Sequence, residues 1–318
     1  KKLGINFHNS FSIIDDIFRR KEINYSMVSI VGMDGLKPAL LLVRYSKNIA
    51  IVNKEAIICG WNLIKQKIKK YKTNFIPIDS EHFSIYSLLE NHDSDSIDKI
   101  FITASGGPFL KKNINSFNKI KKKDALDHPN WKMGKKISID SSTMMNKVFE
   151  VIEAKKIFNL KYKNISILTH PKSYVHAIIK FKNALTKILI HDPDMKIPIF
   201  NSLYSKLNTN FKSKELDFKV LNNLELKKVD NKKFPLVKII HYLVEKDSLY
   251  ETVLITVNDF FVQKYLNDEI QYGQMVRNIY KYSKYKEFLK YRNSVPKNVK
   301  EIYNLRDYVS LKLSTLSV

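Results

Sequence analysis

The sequence predicts an α/β protein in three parts. These are the later portion of a parallel, doubly wound sheet, a central α+β part with an open sheet, and a helical C-terminal part. Three patterns carry the prediction. Short apolar runs alternate with helically spaced segments over residues 1–78. Strand-like runs gather between residues 100 and 190. Beyond Phe234, apolar residues recur at intervals of three and four.

In the first part, Val28 to Val31 and Ile49 to Val52 read as strands, and Asp34 to Arg44 and Ile57 to Lys70 as helices. Asn74-Phe75-Ile76-Pro77-Ile78 reads as a short buried strand. The central part, residues 79–204, has strand-like runs near Ile100 to Thr103, Ile165 to His170, Ala177 to Phe181 and Thr186 to Ile190. A helix is expected from about Ser141 to Leu160. Residues 205–230 are polar and lysine-rich, as a linker would be, and residues 231–318 read as a helical domain.

Composition narrows the function classes. A hydrophobic share of 44% supports packed cores. No run of eighteen apolar residues marks a membrane span. The single cysteine, Cys59, excludes an intramolecular disulfide and fits a reducing cytoplasm. A net charge of +24 invites a nucleic-acid reading. However, the basic residues are nearly all lysine, with arginine only at positions 19, 20, 44, 277, 292 and 306. Isoleucine, asparagine and tyrosine are abundant too, a pattern of genome composition rather than of a binding face. No nucleic-acid partner and no membrane partner are expected.

The chemistry concentrates in a few segments. Asp79-Ser80-Glu81 sets two carboxylates around a serine at a strand end. On an extended backbone that spacing turns both side chains the same way. The same residues also fit a helix N-terminus. Carboxylate oxygens suit Mg²⁺ or Mn²⁺ better than zinc. Asn146, Lys147 and Glu150 can share a helix face. Ser141 and Ser142 would begin that helix, where free N–H groups attract an anion and Lys147 would strengthen the attraction. Thr103-Ala104-Ser105-Gly106-Gly107-Pro108-Phe109 holds an adjacent glycine pair in a chain with only 8 glycines, so its backbone bends or closely approaches something. His128-Pro129-Asn130-Trp131-Lys132-Met133-Gly134 offers an imidazole, an aromatic cover and a hinge, as a lid would. His170 and His176, at strand ends, read as structural histidines.

Taken in order, Asn53-Lys54-Glu55, Asp79-Ser80-Glu81-His82, Ala104 to Phe109, His128-Pro129-Asn130-Trp131 with Met133-Gly134, and Asp140-Ser141 through Glu150 resemble the 1-deoxy-D-xylulose 5-phosphate reductoisomerase family. His170-Pro171, Ser173, His176 and Pro193-Asp194-Met195 continue the likeness, which spans about residues 30–200 and weakens beyond residue 205. The resemblance implies an NADPH-dependent rearrangement and reduction of 1-deoxy-D-xylulose 5-phosphate to 2-C-methyl-D-erythritol 4-phosphate, in non-mevalonate isoprenoid synthesis. It implies the remainder of an incomplete Rossmann-like NADPH domain at residues 1–78, the catalytic domain at 79–204, and a homodimer formed through the sheet of that domain.

By the same resemblance, Asp79, Glu81 and Glu150 hold Mn²⁺ or Mg²⁺. Ser105, Ser141, Asn146 and Lys147 hold the phosphate of the sugar-phosphate substrate, with Ser173 close to that region. Lys54 and Ser80 contact its oxygens, and His128 and Trp131 close over it. Asn53, Glu55 and Gly134 border the nicotinamide. Lys54, Glu81, His128 and Glu150 form the expected catalytic set. The chain departs from the family pattern at Val148, where a small residue is usual, and at Ala56, where a serine is usual. No G-x-G-x-x-G turn is present. Roughly 70 residues of a complete dinucleotide-binding domain are expected to precede Lys1. Two other readings follow from the same residues: a metal-dependent sugar-phosphate binder without hydride transfer, and a basic polyanion-binding protein.

Overall fold

The computed structural model describes residues 10–204 and 209–316. In chain order, α1 (Ile13–Phe18) leads to β1 (Ile23–Val28), α2 (Leu36–Leu42), β2 (Ser46–Ile51), α3 (Lys54–Tyr71) and β3 (Asn74–Pro77). The three strands pair in parallel in the order β1-β2-β3. Leu36, Ile49, Ile51, Ile57 and Ile64 are completely or almost completely buried between the strands and the helices. The first strand ends at Val28, where the sequence pattern predicts that it begins. Val31 is 80% exposed, so its apolarity marks the loop after the strand and not the strand itself.

The second unit follows with α4 (Ser80–Leu88), β4 (Ile97–Ala104), α5 (Lys122–Leu126), α6 (Lys135–Ser142) and α7 (Met145–Ile157). Next come β5 (Ile165–Thr169), β6 (Val175–Phe181), β7 (Thr186–Ile190), α8 (Lys196–Tyr204), α9 (Phe218–Leu221) and β8 (Lys227–Lys228). The sheet order is β7-β6-β4-β5-β8. Only β4 and β5 run parallel. α4 and α7 cover one face, where Ile100, Ile102, Ala177 and Ile179 form a dry cluster with Ile85, Val151 and Ala154. Residues expected only as linker thus contribute a strand, β8, hydrogen-bonded to β5.

The C-terminal part holds α10 (Tyr250–Leu266), α11 (Tyr272–Ser283), α12 (Lys286–Leu289) and α13 (Val299–Leu316). α10 packs on α11 and α13 and also reaches α3 and α6. Its Val253, Leu254, Ile255, Val257 and Phe261 are wholly buried and join one core with Ile57 of α3 and Phe149 of α7. This continuous core packs α3, the α6–α7 pair and the C-terminal bundle together. No described helix is long and apolar enough to cross a membrane.

The expected helix from Ser141 to Leu160 is two helices. Met144 adopts φ 63°, a left-handed conformation that stops α6 and starts α7 in a new direction. Ser141 and Ser142 therefore close α6 and do not open α7. The Ser142 hydroxyl donates to the Ile139 carbonyl at 2.7 Å. The free N–H groups of a helix start consequently lie elsewhere, and the anion site expected from these serines as N-caps is not formed in that way. Val148 is completely buried in the main core, so its extra carbons are packed away from the site.

Candidate active site

The chemistry-bearing segments converge beyond the carboxyl ends of β2, β3 and β4, where open α/β sheets place their ligands. Asp79 and Glu81 do not extend a strand, since β3 ends at Pro77 and α4 begins at Ser80. Asp79 is the N-cap residue of α4 but makes no capping hydrogen bond, which leaves its carboxylate for other work. From the neighbouring strand ends come Lys54, at the start of α3, and Ser105, just past β4. α7 adds Asn146, Lys147 and Glu150.

Together they enclose a cavity of about 230 Å³. Lys54, Asp79, Ser80, Glu81 and Ser105 line it, as do His128, Trp131, Ser141, Asn146, Lys147 and Glu150. Every residue expected for substrate and metal therefore reaches one space. The three expected at the nicotinamide are not among its lining. Asn53 caps α3, accepting from the Ala56 amide at 2.5 Å, and its amide nitrogen donates to the Gly32 carbonyl at 2.7 Å. Glu55 is buried and paired with Lys136 at 2.7 Å. Gly134 lies at the exposed N-terminus of α6.

The carboxylates are held by amino groups and hydroxyls. Lys147 donates to both Glu81 and Glu150, the latter at 2.6 Å. Ser80 donates to the other Glu81 oxygen at 2.6 Å, and Asn146 to the other Glu150 oxygen. Lys54 sits in ion-pair contact with Asp79, 3.6 Å from Glu150 and 3.5 Å from Glu153. Burial raises the cost of ionising each carboxylate. At Glu81 the Lys147 ammonium, His176 and the two donated hydrogen bonds outweigh burial and hold its pKa below the usual range. At Glu150 burial and the neighbouring Glu81 prevail, and its pKa is raised. Burial lifts Glu153 to about 8 despite Lys54.

Two groups of described residues have donor atoms close enough to share a metal ion: Asp79, Glu81 and Glu150, and Asp79, His82 and Glu153. The first is all oxygen, as Mg²⁺ or Mn²⁺ prefers, and all three of its members line the cavity. His82 and Glu153 do not line it. Asp79 Oδ2, which meets the Lys54 ammonium, accepts no hydrogen bond, and neither do Asn146 Oδ1 beside the first group or His82 Nδ1 and Glu153 Oε2 in the second. The all-oxygen chemistry and the open cavity therefore set the first group apart. The residues present fit a hard divalent ion.

The loop over the cavity is well tied. His128 Nδ1 accepts from the amides of Asn130 and Trp131, at 3.2 and 3.0 Å. Its proton is therefore on Nε2, which donates to Ser105 Oγ at 3.1 Å. Burial, with the Lys147 charge adding to it, brings His128 down to about 4, so the ring is neutral near pH 7. Ser105 Oγ also accepts from the Gly107 amide at 3.0 Å. With two donors already on the oxygen, the Ser105 proton is free to point at a ligand. Asn130 pins the loop to Pro171 and Ser173, at 2.7 and 2.8 Å.

Family profiles match most of the chain. One described as 1-deoxy-D-xylulose 5-phosphate reductoisomerase covers residues 3–60, and two C-terminal domain profiles of the same enzyme cover 75–158 and 190–309. A reductoisomerase from Pelagibacter ubique is 54% identical over the whole chain, which spans 82% of that relative. The chain belongs to the 1-deoxy-D-xylulose 5-phosphate reductoisomerase family. The Sulfurihydrogenibium member is 40% identical over 77% of the chain, which spans 64% of that protein. Solved family structures superpose over 96% of the chain. The Zymomonas mobilis enzyme with NADPH has a TM-score of 0.84 at 26% identity, with 77% of that structure covered. A complex with NADPH, fosmidomycin and magnesium has a TM-score of 0.85 at 30% identity, with 78% covered. The family is one of NADPH-dependent oxidoreductases that use a divalent metal.

Of two residues at or beside the reductoisomerase cavity, sequence reasoning did not single out Glu153 and gave His176 no part in the chemistry. Glu153 is one turn beyond Glu150 on α7 and only 1% exposed; a carboxylate repeated at i+3 on a buried helix face was its signal. His176, read as structural, lines the cavity and stacks on His191 with ring centroids 3.7 Å apart. Its Nε2 donates to the His191 carbonyl at 3.1 Å, which fixes the ring in the wall and leaves Nδ1 as the unprotonated nitrogen.

Proposed function

We propose that this site binds 1-deoxy-D-xylulose 5-phosphate against a divalent ion held by Asp79, Glu81 and Glu150, and serves the family's NADPH-dependent rearrangement and reduction to 2-C-methyl-D-erythritol 4-phosphate. The observation that carries this reading is the convergence of three carboxylates, from the start of α4 and from α7, on the wall of a cavity that also presents Lys54, Lys147, serine hydroxyls and the Asn146 amide beside apolar residues such as Val52, Ile137 and Met195. An ion held there would polarise carbonyl and hydroxyl oxygens and stabilise enolate-like charge.

The chain's own groups divide the remaining work. Ser105 presents a hydroxyl proton, and with Ser141, Asn146 and Lys147 it makes a donor-rich end suited to a phosphodianion. Lys54, buried and cationic, lies over the carboxylate side, where it contacts substrate oxygens. The neutral His128 fixes Ser105 and, with Trp131, excludes water from the reacting carbons. The general positive field of the chain gathers an anionic substrate.

Asn53, Glu55 and Gly134 are proposed to stand near the nicotinamide side. Asn53 and Glu55 fix the first turn of α3 beside Lys54, and Gly134 is the pivot between loop and α6. The division at residues 1–78, 79–204, 205–230 and 231–318 is proposed as the functional one. A homodimer through the open sheet face is supported by the row Ile188, Ile178 and Phe101 across β7, β6 and β4, on the face opposite α4 and α7. Ile188 is 43% exposed on that face. A cytoplasmic location follows from the reaction's need for NADPH.

The test is NADPH consumption by the natural full-length protein. Turnover that needs both the pentulose phosphate and Mg²⁺ or Mn²⁺ is the expected result. Metal-dependent sugar-phosphate binding without NADPH oxidation would reject hydride transfer, and binding of polyanions with no metal requirement would reject the site.

A further inference from the structure

Lys147 and Lys54 both neutralise the carboxylates of the site, but their partners differ. Lys147 has Glu81 and Glu150, and both belong to the proposed metal-binding set. Lys54 contacts Asp79 and Glu150 of that set but also Glu153, 3.5 Å away and outside it. An ammonium and a divalent cation cannot crowd the same oxygens, because the like charges repel at contact distance. When a divalent ion takes Asp79, Glu81 and Glu150, Lys54 keeps the Glu153 carboxyl as a partner, whereas both acidic partners of Lys147 are taken.

We infer that Lys147 has two stations: it bridges Glu81 and Glu150 as a built-in counter-ion, and a divalent ion displaces it into the cavity, where it binds the anionic group of the substrate. This rests on the metal reading above. The second station is within reach because Lys147 itself lines the cavity beside Ser141, Asn146 and Ser173. A lysine is suited to the exchange, since its ammonium is a compact point charge on a flexible stem.

The exchange has two consequences for the reaction. Three clustered carboxylates stay neutralised before the ion arrives, so the repulsion that would otherwise splay them is offset. In addition, ion binding releases the cation that the substrate phosphate needs, so the two ligands bind with positive coupling. By linkage that coupling is reciprocal. Lys147 is only 9% exposed by side chain while it bridges the glutamates. Its amine is therefore shielded in one station and open to a small reagent in the other.

Reductive methylation of the full-length protein, read by peptide mass at each lysine, tests this directly. Three samples are compared: chelator, Mn²⁺, and Mn²⁺ with inorganic phosphate. Mn²⁺ binding is measured in parallel by electron paramagnetic resonance. Labelling of Lys147 is expected to rise several-fold with Mn²⁺ and to fall back with phosphate, while Lys54 stays low throughout. Unchanged labelling of Lys147 with Mn²⁺ bound overturns the exchange and leaves the metal reading standing. A rise that phosphate does not reverse overturns the second station. A parallel rise at Lys54 overturns the role given to Glu153. If no Mn²⁺ binds, both the exchange and the metal reading fail.

Discussion

The Tyr272 hydroxyl donates to the main-chain carbonyl of Ser142 at 2.9 Å, across 130 residues of sequence. Tyr272 is buried, and its ring packs edge-on against Phe109 with centroids 5.2 Å apart. The C-terminal helix α11 thereby holds the junction between α6 and α7 from behind, and this junction aims Ser141 and Asn146 into the cavity. Tyr272→Phe keeps the ring and leaves a buried carbonyl without its donor. The expected cost is about 1–2 kcal/mol in urea unfolding, with KM for the sugar phosphate rising more than kcat falls.

Gly107 approaches the same junction from the other side. Its φ of 63° favours glycine, and a Cβ would lie 3.0 Å from the Ser141 carbonyl and 3.2 Å from Ser142 Cα. Gly107→Ala is expected to destabilise the protein by about 1–3 kcal/mol and to weaken inorganic phosphate binding, since Ser141 must move. Calorimetric titration with phosphate would show it; unchanged affinity would mean that Ser141 does not contact the anion.

Lys136 ties three parts of the fold together. Its ammonium meets Glu55 of α3 at 2.7 Å, Asp140 of α6 at 3.1 Å and Asp259 of α10 at 3.0 Å. Burial and those carboxylates act in opposite senses on Lys136, and the carboxylates win, raising its pKa. Lys136→Met strands buried acids and is expected to cost about 3 kcal/mol. Lys136→Arg restores part of that stability by keeping the charge. Equal stability of the Met and Arg variants would show that the charge contributes nothing.

Acid should destabilise the protein through histidines that fold in the neutral form. Burial, with His191 adding to it, pulls His176 down to about 3. In the unfolded chain a histidine titrates near 6.5. Below that pH the unfolded chain gains a proton that the folded one resists, so the His176 contribution is complete above pH 6.5 and is lost as pH falls towards about 3. Other groups titrate in the same range, Asp259 at about 6 among them, so the difference between wild type and His176→Asn is the useful quantity. The wild type is expected to lose about 1.4 kcal/mol more per pH unit between pH 6 and 4.5. Parallel curves would contradict a buried neutral His176.

Much of this site could be read from the sequence because its residues come from short, ordered segments whose type and spacing survive without tertiary context. Asp79, Glu81 and Glu150 are of that kind, as are Lys54 and the loop from His128 to Trp131. Local conformation was harder to read. Apolar Val31 looked like strand, and a single left-handed residue, Met144, divides what looked like one helix. Nothing in its side chain announces that conformation, which the packed junction around it imposes. Glu55 and Asn53 illustrate the other limit. Their types fit a ligand contact, but which partner each takes depends on Lys136, 81 residues away from Glu55, and on the loop at Gly32. Strand β8 is two residues long, and its pairing with β5 is invisible in a polar stretch.

Anomalous scattering from crystals soaked in Mn²⁺ addresses the central claim most directly, because Asp79 belongs to both possible metal-binding groups. A single peak is expected among the carboxylates of Asp79, Glu81 and Glu150, at roughly 2.1 Å from their oxygens. It should vanish in Glu150→Gln. A peak among Asp79, His82 and Glu153, or none at all, would contradict the proposed centre.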